Sequence, residues 1–378
     1  MRILHTSDWH LGRSFHREDL LGHQGVFADH LIDVVTAEAV EVVLVSGDIF
    51  DRALPPVDAV ELATEIFSRL AAARVRVIAI SGNHDSTHRL GANAGLIDAA
   101  GVHFRTAPDG CDTPVVIEDR HGQVAFYAIP YLEPETARQR WSLPARSHQA
   151  ALDHAMGRIR RDSVAHQRSV VLAHVFAAGA TPSDSERDIS VGGVDRVGVE
   201  SFAGVSYAAL GHLHGSQVLN DAVRYSGSPL AYSFSEASHI KGSWLLDLDD
   251  RGLANAEFVT APVPRRMQRI QASIGELLTS AQFEQAEQAW VEATVTDPIR
   301  PADAYERLRR RFPHLMQLRF TATSGASGVT RSEPITGLSP LAVVEEFVGA
   351  VRGVECTAAE RALLTEVVAD CCVEHEAS

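Results

Sequence analysis

Short, mostly apolar runs that stop at Gly, Asp, Asn or His recur through the first 214 residues. The five clearest runs lie at residues 3–7, 42–46, 75–80, 169–173 and 207–210. Such runs are typical of buried β-strands. Between them, apolar residues recur at helical spacing at 18–39 and 58–70. This alternation predicts a layered α/β fold.

The pattern changes after residue 240, and the changes predict domain boundaries. A hairpin is predicted at 244–248 and 256–259, then strands at 267–270, 290–295 and 315–320 with a helix at 302–312. Residues 324–338, rich in Ser, Gly, Thr and Pro, resemble a flexible linker. Two short amphipathic helices are predicted at 341–351 and 357–373. We expect a main domain at 1–262, a small α+β domain at 263–323, a linker at 324–338 and a helical tail at 339–378.

Side chains that bind metals follow each of the five apolar runs. They are Asp8 and His10, then Asp48, then Asn83 with His84 and Asp85, then His174, and finally His212 with His214. In open α/β sheets, ligands bind beyond the carboxyl ends of the strands, so these side chains should meet in one crevice. Carboxylate, imidazole and amide donors from several strand ends are how a two-metal phosphoesterase centre is assembled.

Each motif also has an ordinary structural explanation. Asp8 would serve as a helix cap, Gly47-Asp48 as a turn, and His174 as a core histidine with a hydrogen-bond partner. His212 and His214 would equally fit a surface turn. Their common position at strand ends favours the metal site over five separate coincidences.

Composition and charge restrict the classes of function. The 378 residues are 45% hydrophobic and 22% charged, with no apolar run long enough for a membrane helix and no apparent signal peptide. The four cysteines have no metal-binding spacing, which favours the reducing cytoplasm. The net charge of −15 opposes the basic footprint of a duplex-binding protein. DNA binding would therefore depend on metals, local arginines and a partner.

Lys241 is the only lysine and is followed by Gly242, so the chain contains no Gly-Lys-[Ser/Thr] phosphate-binding loop. We therefore predict no nucleotide site in this chain. Any dependence on ATP must come from another polypeptide.

Taken in order, the motifs D-x-H, G-D-x-x-D, G-N-H-D, a single His and G-H-x-H resemble the calcineurin-like metallophosphoesterase superfamily. Within it, segments 6–12, 46–51, 185–187, 190–195 and 225–230 resemble the SbcD nuclease branch. The resemblance implies a layered metallophosphoesterase β-sandwich flanked by helices, with a small α+β capping domain and a C-terminal helical pair.

The resemblance also implies roles for individual residues. One divalent cation would be held by Asp8, His10 and His214, and a second by Asn83, His174 and His212, with Asp48 bridging both. The oxygen and imidazole ligands favour Mn²⁺, with Fe²⁺ or Mg²⁺ as alternatives. His84 would protonate the leaving oxygen, and Asp85 would orient the His84 ring.

The function implied is a two-metal DNA phosphodiesterase, an exonuclease and endonuclease acting on double-strand ends and hairpins in repair and recombination. An SbcC-like coiled-coil ATPase would bind residues 339–378, and the chain would form a homodimer within a heterotetramer. The alternatives are a phosphomonoesterase of the same superfamily and an inactive structural descendant. The protein phosphatases of the superfamily usually have Gly after the Asp-Arg pair and Glu after Gly-Asn-His. This chain has Ala53 and Asp85 at those positions, which favours the phosphodiesterases.

Overall fold

The computed structural model describes residues 1–163, 167–190, 196–321, 338–352 and 354–376. It divides into two compact units, Met1–Met267 and Gln268–Ser378. The predicted linker, apart from Leu338, lies outside the described residues, as do residues 191–195 of the segment at 190–195. No described helix is both long and apolar enough to span a membrane.

The first unit contains two six-stranded sheets. The first sheet consists of β1 (Arg2–Thr6), β4 (Val42–Val45), β5 (Arg76–Ile80), β6 (Val102–Arg105), β15 (Gly242–Leu248) and β16 (Leu253–Thr260). Its strand order is β16-β15-β1-β4-β5-β6. Strands β1, β4, β5 and β6 are parallel, while β15 pairs antiparallel with both β1 and β16. The predicted hairpin is therefore present at one side of this sheet.

The second sheet consists of β7 (Val115–Asp119), β8 (Gly122–Ile129), β9 (Arg168–His174), β12 (Tyr207–Gly211), β13 (Gln217–Val218) and β14 (Val223–Tyr225). Its strand order is β13-β14-β12-β9-β8-β7. The four central strands are parallel and the two edge strands are antiparallel to their neighbours.

Helices and short ribbons connect these strands. The helices are α1 (Leu21–Ala37), α2 (Val57–Ala72), α3 (Thr87–Leu90), α4 (Ala94–Ile97), α5 (Pro134–Trp141) and α6 (His148–Ser163). The ribbons pair β2 (Ser14–Phe15) with β3 (Glu18–Asp19), and β10 (Phe176–Ala177) with β11 (Arg196–Val197). The first helix begins at Leu21 rather than at the predicted residue 18, because Glu18 and Asp19 belong to a ribbon.

Three apolar layers hold this unit together. Ile3, Leu44 and Ile78 of the first sheet pack with Phe126 and Leu172 of the second. The outer face of the first sheet packs against α1 and α2, and the outer face of the second packs against α6. The central parallel strands are covered on both faces, which explains their continuous apolar sequences. The predicted layered α/β fold is confirmed.

The second unit begins with a three-stranded sheet of order β17-β18-β19, formed by β17 (Met267–Ala272), β18 (Trp290–Val295) and β19 (Leu315–Phe320). Two helices, α7 (Ile274–Thr279) and α8 (Ala304–Arg311), share its apolar core through Leu277 and Leu308. Ser273 and Glu276 form a capping box at the start of α7. The helix predicted from 302 begins at Ala304 because Asp303 has a left-handed backbone, with φ of +51°.

The chain ends in two helices, α9 (Pro340–Arg352) and α10 (Ala358–Glu376). Arg361 Nε donates to Glu345 Oε1 across the pair at 2.8 Å. Several apolar side chains of the pair remain exposed to solvent, including Phe347 at 67%, Leu363 at 61% and Val367 at 50%. These two helices occupy the predicted positions, and their apolar stripes are only partly covered.

Candidate metal centre

The carboxyl ends of β1, β4, β5, β9 and β12 meet at one end of the two sheets. Past the end of β1, Asp8 N donates to Gly47 O and His10 N to Asp48 O, each at 3.0 Å. The two sheets are joined at the same level, where Ser46 Oγ donates to Ala209 O at 2.9 Å. The parallel topology thus brings together loops that are far apart in sequence, as the order of the motifs predicted.

Four of the candidate ligands have strained backbones. The φ angles are +53° at Asp8, +47° at His10, +50° at Asp48 and +106° at His212. Residues other than glycine rarely adopt these positive φ angles, which cost about 1–3 kcal/mol each. Such strain persists only where the surrounding structure enforces it, and it is concentrated at functional sites.

Three glycines let these loops approach each other closely. A Cβ on Gly47 would lie 2.4 Å from His174 Nδ1, and one on Gly82 would lie 2.1 Å from Asp48 Oδ1. A Cβ on Gly211 would lie 1.9 Å from the carbonyl oxygen of Ser46. Any larger residue at these positions would push the candidate ligands apart.

Asp8, His10 and His214 form the first cluster. Their ligand atoms lie within 4.8 Å of one another, and all three side chains are buried. His10 Nε2 and His214 Nε2 are 3.1 Å apart. Two imidazole nitrogens facing each other beside a carboxylate are suited to sharing one cation.

Asn83, His174 and His212 form the second cluster. Asn83 Oδ1 lies 2.9 Å from His174 Nε2 and 3.1 Å from His212 Nδ1. Asp48 lies between the clusters, with its Oδ2 3.6 Å from His10 Nε2 and 3.5 Å from His174 Nε2. The structure therefore brings all seven predicted ligands together.

Burial controls the charges of these residues. It raises the pKa of Asp8 to about 6 and lowers the pKa of His10 to about 3. It also lowers the pKa of His212 well below its ordinary value, so both histidines are neutral and have lone pairs. Burial opposes charge on His174 as well, but Asp48, Asp8 and the Ser46 carbonyl together outweigh it and raise that pKa to about 9.

His84 lies beside the clusters, and its ring is held by Asp51. His84 Nδ1 is 2.8 Å from the carbonyl oxygen of Asp51, and its ring centroid is 4.7 Å from that of His10. The carbonyl can only accept, so the Nδ1 hydrogen is committed to it and Nε2 is left for proton transfer.

The prediction that Asp85 orients His84 is wrong. The Asp85 carboxylate accepts hydrogen bonds from the backbone N–H groups of Ile49, Phe50 and Gly82, at 3.1, 2.9 and 3.0 Å. The loops after β4 and β5 leave these donors without backbone partners, and the buried carboxylate satisfies all three. Asp85 therefore ties two ligand loops together and supports His84 only indirectly.

Several residues that hold the ligands were not predicted. Asp51 Oδ1 lies 3.5 Å from His10 Nδ1, and Gln24 Nε2 donates to the His10 carbonyl at 2.7 Å. Ser185 Oγ lies 2.5 Å from His214 Nδ1. Asp51 could have been found from the G-D-x-x-D motif and Ser185 from the segment 185–187, whereas Gln24 stands in no recognisable spacing.

The donor set fits divalent cations. Asp8 and Asp48 are buried carboxylates in one cluster, and buried charges are normally paired or coordinate metals. Oxygen and imidazole ligands without thiolate are suited to divalent metal ions.

Comparison with known proteins agrees with this chemistry. Residues 1–215 match the family described as calcineurin-like phosphoesterase. Residues 263–352 match a domain described as the type 5 capsule protein repressor C-terminal domain.

Two relatives extend the match over most of the chain. The SbcD subunit of the SbcCD nuclease from Bacillus subtilis (strain 168) is 33% identical over 340 residues, covering 84% of this chain and 85% of the relative. The protein of the same name from Staphylococcus epidermidis is 26% identical over 321 residues, with the same coverage. The chain belongs to the calcineurin-like phosphoesterases and, among them, to the SbcD family.

Proposed function

We propose that this chain is a metal-dependent DNA nuclease, the catalytic subunit of a complex with an SbcC-like ATPase. It hydrolyses phosphodiesters at double-strand ends and hairpins during repair and recombination. The observation that carries the proposal is the cluster of seven oxygen and nitrogen donors, six of them from buried residues, at the strand ends of an SbcD-family chain. Relatives named as nuclease subunits support the choice of DNA as substrate.

Each group of ligands has a proposed role. Asp8, His10 and His214 would hold one cation, Asn83, His174 and His212 would hold the other, and Asp48 would serve both. Mn²⁺ is the first choice, with Fe²⁺ or Mg²⁺ as alternatives. When bound, the cations supply Lewis acidity and an activated water for in-line displacement at phosphorus.

His84 is the proposed proton donor to the leaving oxygen. The carbonyl of Asp51 holds its Nδ1 hydrogen, which fixes the ring and leaves Nε2 to deliver the proton. Asp85 keeps the loops on either side of His84 in place through its three backbone hydrogen bonds.

Arginines near the ligand loops supply local positive charge in an otherwise acidic chain. Exposed Arg187 donates to the Asn83 carbonyl at 3.3 Å, and Arg13 donates to the Ser185 carbonyl at 3.0 Å. We propose that these side chains contact substrate phosphates, while tight DNA binding depends on the partner. The net charge of −15 agrees with this division of roles.

We further propose that residues 1–262 form the nuclease domain and 263–323 a capping domain, with a linker at 324–338. The tail at 339–378 would bind the ATPase. The working assembly would be a homodimer within a heterotetramer, in the cytoplasm. The exposed apolar side chains of α9 and α10 support the role of the tail.

Cleavage of linear duplex DNA with Mn²⁺, with the ATPase partner present and absent, tests the proposal. His84→Ala should reduce cleavage about 10²–10⁴-fold, the usual contribution of a general acid. His88→Ala is the matched control, because His88 is an exposed histidine four residues away and should leave the rate unchanged. Efficient hydrolysis of phosphomonoesters without DNA cleavage, even with the partner, would instead support a phosphatase.

A further inference from the structure

A buried ion pair lies directly behind His214. Lys241 is 3% exposed and Glu236 is fully buried, and Lys241 Nζ contacts Glu236 Oε2. The other two Nζ hydrogens also have acceptors, the His214 carbonyl at 2.7 Å and Ser228 Oγ at 3.0 Å. The ammonium group is thus fully paired, and one of its acceptors is the backbone of a candidate ligand.

The ion pair reaches the His214 ring through one hydroxyl. Ser185 Oγ contacts Glu236 Oε1 and lies 2.5 Å from His214 Nδ1. A serine hydroxyl has a single hydrogen, and a carboxylate paired with an ammonium only accepts. The Ser185 hydrogen therefore goes to Glu236, and Ser185 Oγ accepts the Nδ1 hydrogen of His214. This leaves a lone pair on His214 Nε2, which faces His10 Nε2 at 3.1 Å.

Hydrogen bonds to the backbone fix the same residue at two further points. Glu186 Oε1 accepts from His214 N at 2.7 Å, and Ser228 N donates to the His214 carbonyl at 3.2 Å. His214 is therefore held by its N–H, its carbonyl and its ring. Its neighbour in the cluster, His10, is also held, but through Gln24 and Asp51.

Stability alone explains this ion pair poorly. Removing two charges from water is costly, and a buried pair is often no more stable than apolar residues of the same size. Lys241 is also the single lysine among the 34 lysine and arginine residues of the chain. The ammonium group of a lysine directs three hydrogens to acceptors around a single nitrogen, whereas an arginine distributes its donors over a planar fork.

We propose that Lys241, Glu236 and Ser185 are positioning residues that set the tautomer and orientation of His214. They thereby set the affinity of the cation position that His214 shares with Asp8 and His10. The inference rests on the proposed metal assignment. Groups that orient a ligating histidine typically change metal affinity 10–100-fold.

Calorimetric titration of Mn²⁺ into the metal-free full-length chain tests this inference. Wild type should bind two Mn²⁺, whereas Ser185→Ala and Glu236→Gln should weaken one of the two sites 10–100-fold and spare the other. Ser185→Thr keeps the hydroxyl and should restore wild-type binding. Ser235→Ala is the matched control, because this neighbouring hydroxyl contacts Ser233 and Asp184 but no candidate ligand.

A second readout follows the tautomer directly. In the metal-free protein, ¹⁵N spectra of the histidine rings should show the Nδ1–H form of His214 in wild type and a mixture of tautomers in Ser185→Ala. Folded Ser185→Ala protein with two unweakened sites and an unchanged tautomer would overturn the inference. If Glu236→Gln does not fold, Ser185→Ala decides alone. A wild-type chain that binds no Mn²⁺ would instead contradict the proposed metal centre itself.

Discussion

Backbone strain at Asp48 predicts an unusual order of stability. Its φ of +50° favours glycine, so Asp48→Gly should be about 1 kcal/mol more stable than Asp48→Ala, although both variants lose the carboxylate between the two clusters. Urea unfolding measures both free energies of unfolding.

At the residue scale, the types and positions of the candidate ligands were predictable, but their contacts were not. Seven ligands follow apolar runs, so their convergence follows from parallel strands ending at one edge. Asp85 is next to His84 in the sequence, which suggested a contact, but its carboxylate accepts from three backbone N–H groups of the ligand loops. Sequence order does not reveal which buried donors lack partners.

Gly95→Ala is the control for the Asp48 variants. Gly95 lies in α4 outside the left-handed region, with open space where a Cβ would lie, so alanine should stabilise the fold there. Equal stability of the two Asp48 variants would show that the loop carries no strain.

At the scale of elements, the strands that carry ligands began and ended within about two residues of the predicted positions. Continuous apolar runs make such strands easy to recognise. The contacts around His214 were not predictable, although Ser185 lies in the segment 185–187 that carries the family resemblance. Glu236 ends a short 3-10 helix and Lys241 lies in a loop, and no spacing indicates that the three residues meet at His214. The start of α1 was misplaced because Glu18 and Asp19 pair with Ser14 and Phe15 in the local hairpin of β2 and β3 instead of joining the helix.

The ion pair between Arg168, at the start of β9, and Asp119 predicts that the stability of the fold depends on pH. Arg168 forms a double hydrogen bond with Asp119 and holds the pKa of Asp119 well below its ordinary value; the N-terminal amine lies 3.0 Å away. Because the pKa of Asp119 is lower in the folded state than in the unfolded state, its carboxylate stabilises the fold above the unfolded pKa of about 4. This contribution is lost as the pH falls below that value toward the folded pKa.

Asp119→Asn should therefore lower the free energy of unfolding by about 3–5 kcal/mol at pH 6, since it leaves Arg168 buried without its ionic partner. The difference from wild type should shrink as pH falls below 4. Urea unfolding at pH 6 and pH 3 measures both values. A difference that stays constant with pH would show that the carboxylate charge is not the source of the stabilisation.

At the scale of the whole molecule, the chain combines the seven predicted ligands with a net charge of −15 and a helical tail that leaves apolar side chains exposed. A pair of short helices gains little stability by itself, so tertiary or partner contacts must contribute. In the proposed assembly, ATP would act on this centre through the ATPase partner.

The tail should therefore bind the ATPase through its apolar side chains. Phe347→Asp combined with Leu363→Asp should abolish co-purification of an SbcC-like ATPase and leave Mn²⁺ binding by the chain intact. Glu366→Ala alters an exposed polar residue of α10 and should keep the complex. A complex that survives the double substitution, or deletion of residues 339–378, would exclude the tail as the binding site.

Anomalous diffraction from crystals grown with Mn²⁺ tests the two-metal centre most directly. We predict two manganese peaks, one on either side of the Asp48 carboxylate. One peak should contact Asp8, His10 and His214, and the other Asn83, His174 and His212. A single peak, or peaks away from these seven residues, would contradict the two-metal centre.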